Sequence, residues 1–302
     1  MNDLKLRIAS LHVYPVKSCA GASVNESLLI ETGFEFDRAW MLVDPAGVFV
    51  TQRQAPRMAL VQSTLKTHDM VLRAPGMLAL HIALDAVEKP VRVQIWDDEV
   101  AAFDMGDLAA QWFSDFLRRP LRMVRFNPEH KRLSDREWTG DIEAETAFSD
   151  GFSLLVVSTA GLDELNRRLV AAGEAPVTLA RFRPNLVLDG LDAHGEDHLD
   201  EIAFDTADGP VRLKLVKPCT RCAIPDIDTD IDAATAVPGH AVGDALRSYR
   251  ADARVGGAIS FGMNAVIVDG IDRVLWWGWK AAGRSVSSDA PSGLIEAWYT
   301  HP

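Results

Sequence analysis

The first hundred residues alternate short apolar runs with turn residues, a pattern typical of β-strands. Residues 39–53, "AWMLVDPAGVFVTQR", place two apolar runs around Asp-Pro-Ala-Gly and predict a hairpin. Residues 70–84, "MVLRAPGMLALHIAL", repeat this arrangement around Ala-Pro-Gly, and residues 91–105, "VRVQIWDDEVAAFDM", predict a strand pair that turns at Asp-Asp. Many short strands with turns between them favour a barrel-like or sandwich-like architecture.

Three segments show helical spacing instead. Residues 106–119, "GDLAAQWFSDFLRR", carry an apolar stripe, and residues 158–173, "STAGLDELNRRLVAAG", begin with an N-cap at Ser158 or Thr159 and end on a glycine. Residues 243–250, "GDALRSYR", predict a short third helix.

The second half returns to β-strands after the second helix. Residues 182–191, 209–222 and 264–280 are rich in strand-forming residues, and Pro218 is expected to end the middle one. Residues 130–150 are polar with weak periodicity and predict a long loop, which in a compact domain is often functional.

Length and charge exclude several classes of protein. A chain of 302 residues predicts one large domain or two closely joined ones. The net charge of −12 argues against nucleic acid and anionic membranes as partners, because both need a cationic face. The sequence shows neither a signal-peptide pattern nor an apolar run of about 20 residues, which predicts a cytoplasmic protein.

Two of the three cysteines lie in "VKPCTRCAIPDIDTD", residues 216–230. A zinc site would need more ligands, and a thioredoxin-like pair would open a helix, which Pro225 disfavours here. A buried cysteine with no chemistry is the alternative, and it is the expectation for Cys19. Beside Arg221, Cys222 would favour the thiolate, a soft ligand for a heavy transition metal.

Basic residues recur in short motifs beside the predicted strands. Each alone is typical of a solvated surface, and the sequence does not bring them together. Gathered in space, they would form an anion pocket in an acidic protein, since guanidinium groups suit phosphate. They are Lys17 (followed by Ser18), Arg38, Arg53, Arg57, Arg181, Arg183 and Arg221.

Five motifs in order give the chain a family resemblance: "LHVYPVKSC", "FDRAWMLVDPAGVFVTQRQAPRMALV", "AFSDGFSLLVVS", "FRPNLVL" and "VKPCTRCAIPDIDTD". Together they resemble MOSC proteins that carry an N-terminal MOSC β-barrel domain, including the mitochondrial amidoxime-reducing component and YcbX-like proteins. The resemblance implies a mainly β fold with several helices (α+β). It also implies an N-terminal MOSC β-barrel domain over residues 1–100 and a MOSC domain over residues 101–302.

The resemblance further implies a molybdenum cofactor, an anionic pterin dithiolene with a terminal phosphate. Cys222 corresponds to the metal ligand of the family and so to the catalytic centre, and Asp228 to an acid near the metal that is a candidate proton source. The implied cofactor-binding residues are Lys17, Ser18, Arg38, Asp150, Arg183, Thr220 and Arg221.

The implied activity is reduction of small N-hydroxylated compounds such as hydroxylamines, amidoximes and N-hydroxylated bases. No cysteine follows Cys222, so the electrons are expected from a separate protein, such as a ferredoxin-type or flavin reductase. The alternative is a protein that binds or carries the cofactor or its sulfur without turnover.

Overall fold

Strands dominate the computed structural model, which describes residues 4–206, 208–228 and 239–285. The strands in chain order are β1 (Leu4–Val13), β2 (Ala22–Val24), β3 (Glu26–Ile30), β4 (Gly33–Phe34), β5 (Trp40–Val43), β6 (Phe49–Val50), β7 (Gln62–Leu65), β8 (Asp69–Arg73), β9 (Leu80–Ala83), β10 (Lys89–Ile95), β11 (Asp98–Asp104), β12 (Arg122–Phe126), β13 (Leu154–Ser158), β14 (Leu186–Asp189), β15 (Leu199–Thr206), β16 (Gly209–Thr220), β17 (Ala251–Asp252), β18 (Ala258–Asp269), β19 (Val274–Trp276) and β20 (Lys280–Ser285). The α-helices are α1 (Gly106–Leu117), α2 (Arg136–Thr139), α3 (Thr159–Ala171) and α4 (Ala241–Arg247).

The locally encoded elements agree with the sequence pattern. The three predicted hairpins are confirmed as the antiparallel pairs β5–β6, β8–β9 and β10–β11. The three predicted helices are confirmed as α1, α3 and α4. The side chain of Ser158 accepts a hydrogen bond from the Gly161 amide and so caps α3, as its position predicts.

A closed barrel of seven strands forms the larger part of the fold, in the order β13-β14-β1-β20-β15-β16-β18 and back to β13. The barrel core is aliphatic and includes Leu6, Ile8 and Leu11 from β1, whose buried positions mostly alternate with more exposed ones. β1 pairs with β14 on one side and with β20 on the other. The N-terminal strand is therefore part of the same barrel as the strands of the second half.

A second β-rich layer holds most of the remaining N-terminal residues. Its sheets are β10-β11-β12-β5-β6 and β7-β8-β9, and α1 packs into their core with Trp112, Phe113 and Phe116. The mainly β fold with several helices and a β-barrel is thus confirmed. The predicted domain division at residue 100 stays a prediction.

Two sequence expectations need correction. Residues 130–150 are largely irregular, but they contain one helical turn, α2, which the side chain of Asp135 caps. Pro218 does not end its strand: β16 continues to Thr220 across an irregular register between Pro218 and Thr220. Within the part of the chain that the structure describes, no helix combines the length and apolar character that crossing a bilayer requires.

Candidate cofactor site

A cavity of about 130 Å³ opens where the barrel meets the N-terminal β-rich layer. It collects residues from seven separate stretches of the sequence, and these include every residue that the family resemblance assigns to the cofactor. Those residues are Lys17, Ser18, Arg38, Asp150, Arg183, Thr220, Arg221 and Cys222. We call this space the cofactor cavity.

Strand pairing explains why residues far apart in the sequence meet here. Lys17 and Ser18 lie in the turn that follows β1, and Arg183 lies three residues before β14 begins. β1 and β14 are antiparallel, so the end of one lies beside the start of the other, and the His12 amide donates to the Asn185 carbonyl at 2.9 Å. Asn185 Oδ1 accepts a hydrogen bond from Arg38 Nη1 at 2.9 Å and so anchors the third segment.

Three of the cavity residues have left-handed backbone conformations without being glycine. The φ angles are 65° at Ser18, 48° at Arg38 and 60° at Arg183. Such conformations are unfavourable for residues with a Cβ, and they cluster where function demands a particular side-chain direction. The backbone is therefore shaped to point these three side chains, and no sequence pattern indicated it.

Lys17 is a buried ammonium group with two oxygen partners. Its Nζ donates to Asp150 Oδ1 at 2.6 Å and to the Phe148 carbonyl at 2.7 Å. Burial lowers the pKa of Lys17, although Asp150 opposes that effect. Desolvation opposes ionisation of Asp150, but the Lys17 charge outweighs it and holds the pKa of that carboxyl well below its usual range.

Tyr14 lies between two guanidinium groups at the back of the cavity. The guanidinium carbons of Arg38 and Arg183 lie 4.4 Å and 4.3 Å from the centre of its ring. Arg38 also pairs with the Asp37 carboxylate, whereas Arg183 Nη1 donates to the Cys19 carbonyl, and no carboxylate pairs with Arg183 among the residues described. Burial, with the Arg38 charge, lowers the pKa of Arg183 to about 10.

Unused hydrogen-bond donors point to a missing anionic partner. Arg183 Nη2 and Arg221 Nε are both buried without an acceptor among the described atoms. Buried donors in native proteins nearly always have partners, so each one calls for an explanation. Basic side chains outnumber acidic ones in the lining, with Lys17, Arg38, Arg53, Arg183 and Arg221 against Asp150. The cavity therefore suits an anion that brings its own oxygen acceptors.

The two neighbouring thiols differ in their surroundings. Cys222 is exposed, and Cys219 is half-buried, with Arg221 Nη1 2.9 Å from its sulfur. The Arg221 guanidinium contacts Cys219 and donates to the Phe182 carbonyl at 2.9 Å, and the expectation that Arg221 favours the Cys222 thiolate stays a prediction. Cys222 is exposed and lines the cavity.

Cys19 is the one cysteine of the three that is fully buried. It is fully buried in an apolar cluster, and burial raises the pKa of its thiol to about 12. The expectation of a small buried hydrophobe is confirmed. Across the described residues, no group of three or more His, Cys, Asp and Glu side chains converges as a metal site. Cys222 therefore belongs to no such group within the part of the chain that the structure describes.

Asp228 is the predicted residue that the structure does not place in the cavity lining. Its Oδ1 is 3.0 Å from Arg181 Nη2, and it follows a short turn at Ile224–Asp226 that begins two residues after Cys222. The neighbouring acid Asp226 is buried and accepts hydrogen bonds from the Val242 and Gly243 amides, which fixes the start of α4. The role of Asp228 near a metal stays a prediction.

Comparisons with known proteins agree with this geometry. A family model described as "MOSC N-terminal beta barrel domain" matches residues 5–120, and one described as "MOSC domain" matches residues 143–269. Mitochondrial amidoxime-reducing component 1 of Mus musculus is 34% identical over 74% of this chain and 66% of its own length. Mitochondrial amidoxime reducing component 2 of Homo sapiens is 33% identical over 80% of this chain and 72% of its own length.

A more distant relative joins the same motifs to a longer protein. Molybdenum cofactor sulfurase of Bos taurus is 29% identical over 73% of this chain, which corresponds to 26% of that protein. This chain spans about two thirds of the length of the amidoxime-reducing relatives. On two domain matches and a relative at 33% identity across most of both chains, this chain belongs to the MOSC family, in the branch with the N-terminal β-barrel domain that includes the mitochondrial amidoxime-reducing components.

Proposed function

We propose that this protein binds a molybdenum cofactor in the cofactor cavity and reduces small N-hydroxylated compounds with it. The observation that carries the proposal is a basic cavity, in a chain with a net charge of −12, that presents one exposed thiol. The names of the amidoxime-reducing relatives support the reaction, and the name of the sulfurase supports the cofactor.

The residues present fit such a cofactor in charge and in donors. Arg183 Nη2 and Arg221 Nε are buried donors without acceptors, which the oxygens of a phosphate or pterin would satisfy. Lys17, Ser18, Arg38 and Thr220 would hold the cofactor together with them, and Cys222 would supply the protein sulfur to the metal. When bound, the cofactor would supply two-electron chemistry at an oxygen-accepting metal.

The protein's own part is to position the substrate and to supply protons. Reduction of a hydroxylamine follows R–NH–OH + 2e⁻ + 2H⁺ → R–NH₂ + H₂O, so one added proton completes water on the departing oxygen and the other goes to the nitrogen. Asp228 lies six residues after Cys222 in the sequence, and its carboxylate pairs with Arg181. We assign Asp228, or water that it orders, as the proton source.

The electrons come from a separate donor in this proposal. A ferredoxin-type protein or a flavin reductase would deliver them in single or paired steps. The cytoplasmic location expected from the sequence stays a prediction, and the relatives with the amidoxime-reducing name are called mitochondrial.

The test compares two cysteine variants in a host that makes the cofactor. Molybdenum is measured by mass spectrometry, and benzamidoxime reduction is measured with an artificial electron donor. Cys222→Ser should lose both metal and activity, whereas Cys219→Ser should keep much of both. A metal-loaded protein that reduces no N-hydroxylated compound would refute the activity, and reversed effects of the two variants would refute the choice of ligand.

Sulfur or cofactor transfer is a second candidate, favoured by the similarity to the sulfurase and by the exposure of Cys222. This candidate predicts a persulfide on Cys222 after incubation with a cysteine desulfurase and cysteine. Intact-mass spectrometry would detect the added sulfur, with Cys222→Ser as the control. A cofactor-loaded protein that reduces N-hydroxylated compounds and carries no persulfide would exclude this transfer function.

A further inference from the structure

A second and larger cavity adjoins the cofactor cavity, and neither the family motifs nor the proposed function has used it. Its volume is about 370 Å³, and it lies between the β7–β8 region of the N-terminal layer and the segments at residues 180–183 and 224. We call it the basic pocket. We infer that the basic pocket binds a carboxylate or phosphate group carried by the N-hydroxylated substrate, so that the preferred substrates are anionic. This inference rests on the proposed function for the reaction itself.

The charge of the basic pocket is the first argument. Its lining includes Arg73, Arg181 and Arg183 and contains neither Asp nor Glu. The whole chain has 43 acidic residues against 31 basic ones, so a concave surface without acids stands out against the overall field. Concave sites of one charge concentrate ligands of the opposite charge.

Arg73 supplies the charge that is open to a ligand. It is the last residue of β8, it is exposed, and among the residues that the structure describes no carboxylate lies within ion-pair distance of it. Arg181 is already paired with Asp228, and Arg183 belongs chiefly to the cofactor cavity. A guanidinium group with no partner can meet a carboxylate or phosphate with two parallel hydrogen bonds.

The position of the pocket connects it to the reacting end of the substrate. Arg183 and Ile224 line both cavities, and Ile224 lies two residues after Cys222. A ligand in the basic pocket would therefore lie next to the cofactor cavity, which Cys222 also lines. The N–OH group would face that space while the anionic group faces Arg73.

Size and apolar lining narrow the substrate class further. Small-molecule sites commonly have volumes of about 300–1,000 Å³, so about 370 Å³ fits a ligand larger than a simple hydroxylamine. Ala59, Leu60 and Pro75 offer apolar surface beside the arginines. The best match is a compound with a ring or an aliphatic body, an N–OH group at one end and an anionic group at the other.

The test uses a matched pair of substrates, benzamidoxime and 4-carboxybenzamidoxime, on cofactor-loaded protein with an artificial donor. The wild type should show a higher kcat/KM for the carboxylate. Arg73→Gln should reduce that preference by about five- to tenfold, since a charged hydrogen bond at a partly exposed site has about this effect. Arg73→Lys should keep part of the preference, and Arg92→Gln should change nothing, because Arg92 is an exposed residue paired with Glu99.

Calorimetric titration of the same two compounds without an electron donor separates the outcomes. Arg73-dependent binding of 4-carboxybenzamidoxime by cofactor-loaded protein that reduces neither compound when the donor is supplied would refute the proposed activity and leave the anion site standing. Turnover of both compounds with no preference for the carboxylate would refute the anion site alone. Equal losses with both compounds in Arg73→Gln would also overturn it, since they would indicate docking of the donor or a general defect.

Discussion

Arg183 is the side chain whose loss should have opposite effects on stability and on cofactor binding. In the cofactor-free protein it is a half-buried cation beside Arg38, with one donor lacking any acceptor. Its pKa falls from 12.5 to about 10, through burial first and the Arg38 charge second. At about 1.4 kcal/mol per pKa unit, the charge destabilises the empty fold by at most about 3 kcal/mol.

Arg183→Gln should therefore stabilise the cofactor-free protein. Screening by solvent and loss of the hydrogen bond to the Cys19 carbonyl reduce the gain to about 1–2 kcal/mol. For a chain of 302 residues the unfolding entropy is about 0.6 kcal/mol/K. The melting temperature should rise by about 2 to 3 °C, measured by differential scanning fluorimetry on protein from a host without cofactor biosynthesis.

The same variant should bind the cofactor more weakly in a competent host. A charge-assisted hydrogen bond contributes about 1.5–3 kcal/mol, which corresponds to about a tenfold or larger loss of affinity. Arg92→Gln is the control, since its exposed pair with Glu99 should leave melting and molybdenum content unchanged. If cofactor-free Arg183→Gln melted below both the wild type and this control, the view of Arg183 as a cation awaiting an anion would be wrong.

Three further predictions concern residues around the barrel. Burial raises the pKa of Glu196 to about 7. Between about pH 4.5 and 7 this residue ionises only in the unfolded chain, so the free energy of unfolding should fall as pH rises through that range. Glu196→Gln should therefore be more stable than the wild type at pH 8, by up to about 3 kcal/mol, and equally stable at pH 4. Asp150→Asn should destabilise the cofactor-free protein by about 1–3 kcal/mol in urea titrations at pH 7, because Lys17 loses its carboxylate; unchanged stability would show that the Phe148 carbonyl suffices. Gly33→Ala should cost about 3 kcal/mol or more in the same assay, because φ is +121° and a Cβ would lie 2.6 Å from the Ser153 carbonyl; a variant as stable as the wild type would contradict the close approach.

The sequence predicted best what short stretches determine by themselves. The turn at residues 44–47 and the cap at Ser158 depend on neighbouring residues, so the β5–β6 hairpin and the start of α3 were readable. The prediction that Pro218 ends its strand was wrong, because β16 accommodates this proline at an irregular register and continues to Thr220. Turn chemistry shows where a strand is disfavoured, but the neighbouring strand β18 decides where pairing ends.

The site was predictable only in part. The family motifs identified the positions, but their convergence depends on pairing between β1 and β14, which are more than 170 residues apart. The sequence did not predict the side-chain partners in the site. Arg221 contacts Cys219, and Arg181 contacts Asp228. Such pairings depend on rotamers and loop paths that no local pattern fixes, and the basic pocket with Arg73 arises from segments that meet only in the folded chain.

The place of β1 in the barrel limits how this protein can be divided or recombined. A fragment that began after residue 100 would lack one of the seven barrel strands. β14 and β20 would then each expose an unpaired edge, which promotes aggregation. Exchange of the N-terminal region with that of a relative would replace a barrel strand together with Lys17 and Arg38. Shuffling of the two halves during evolution would thus be constrained, because the segments with Lys17 and Cys222 follow β1 and β16, which belong to one hydrogen-bonded barrel.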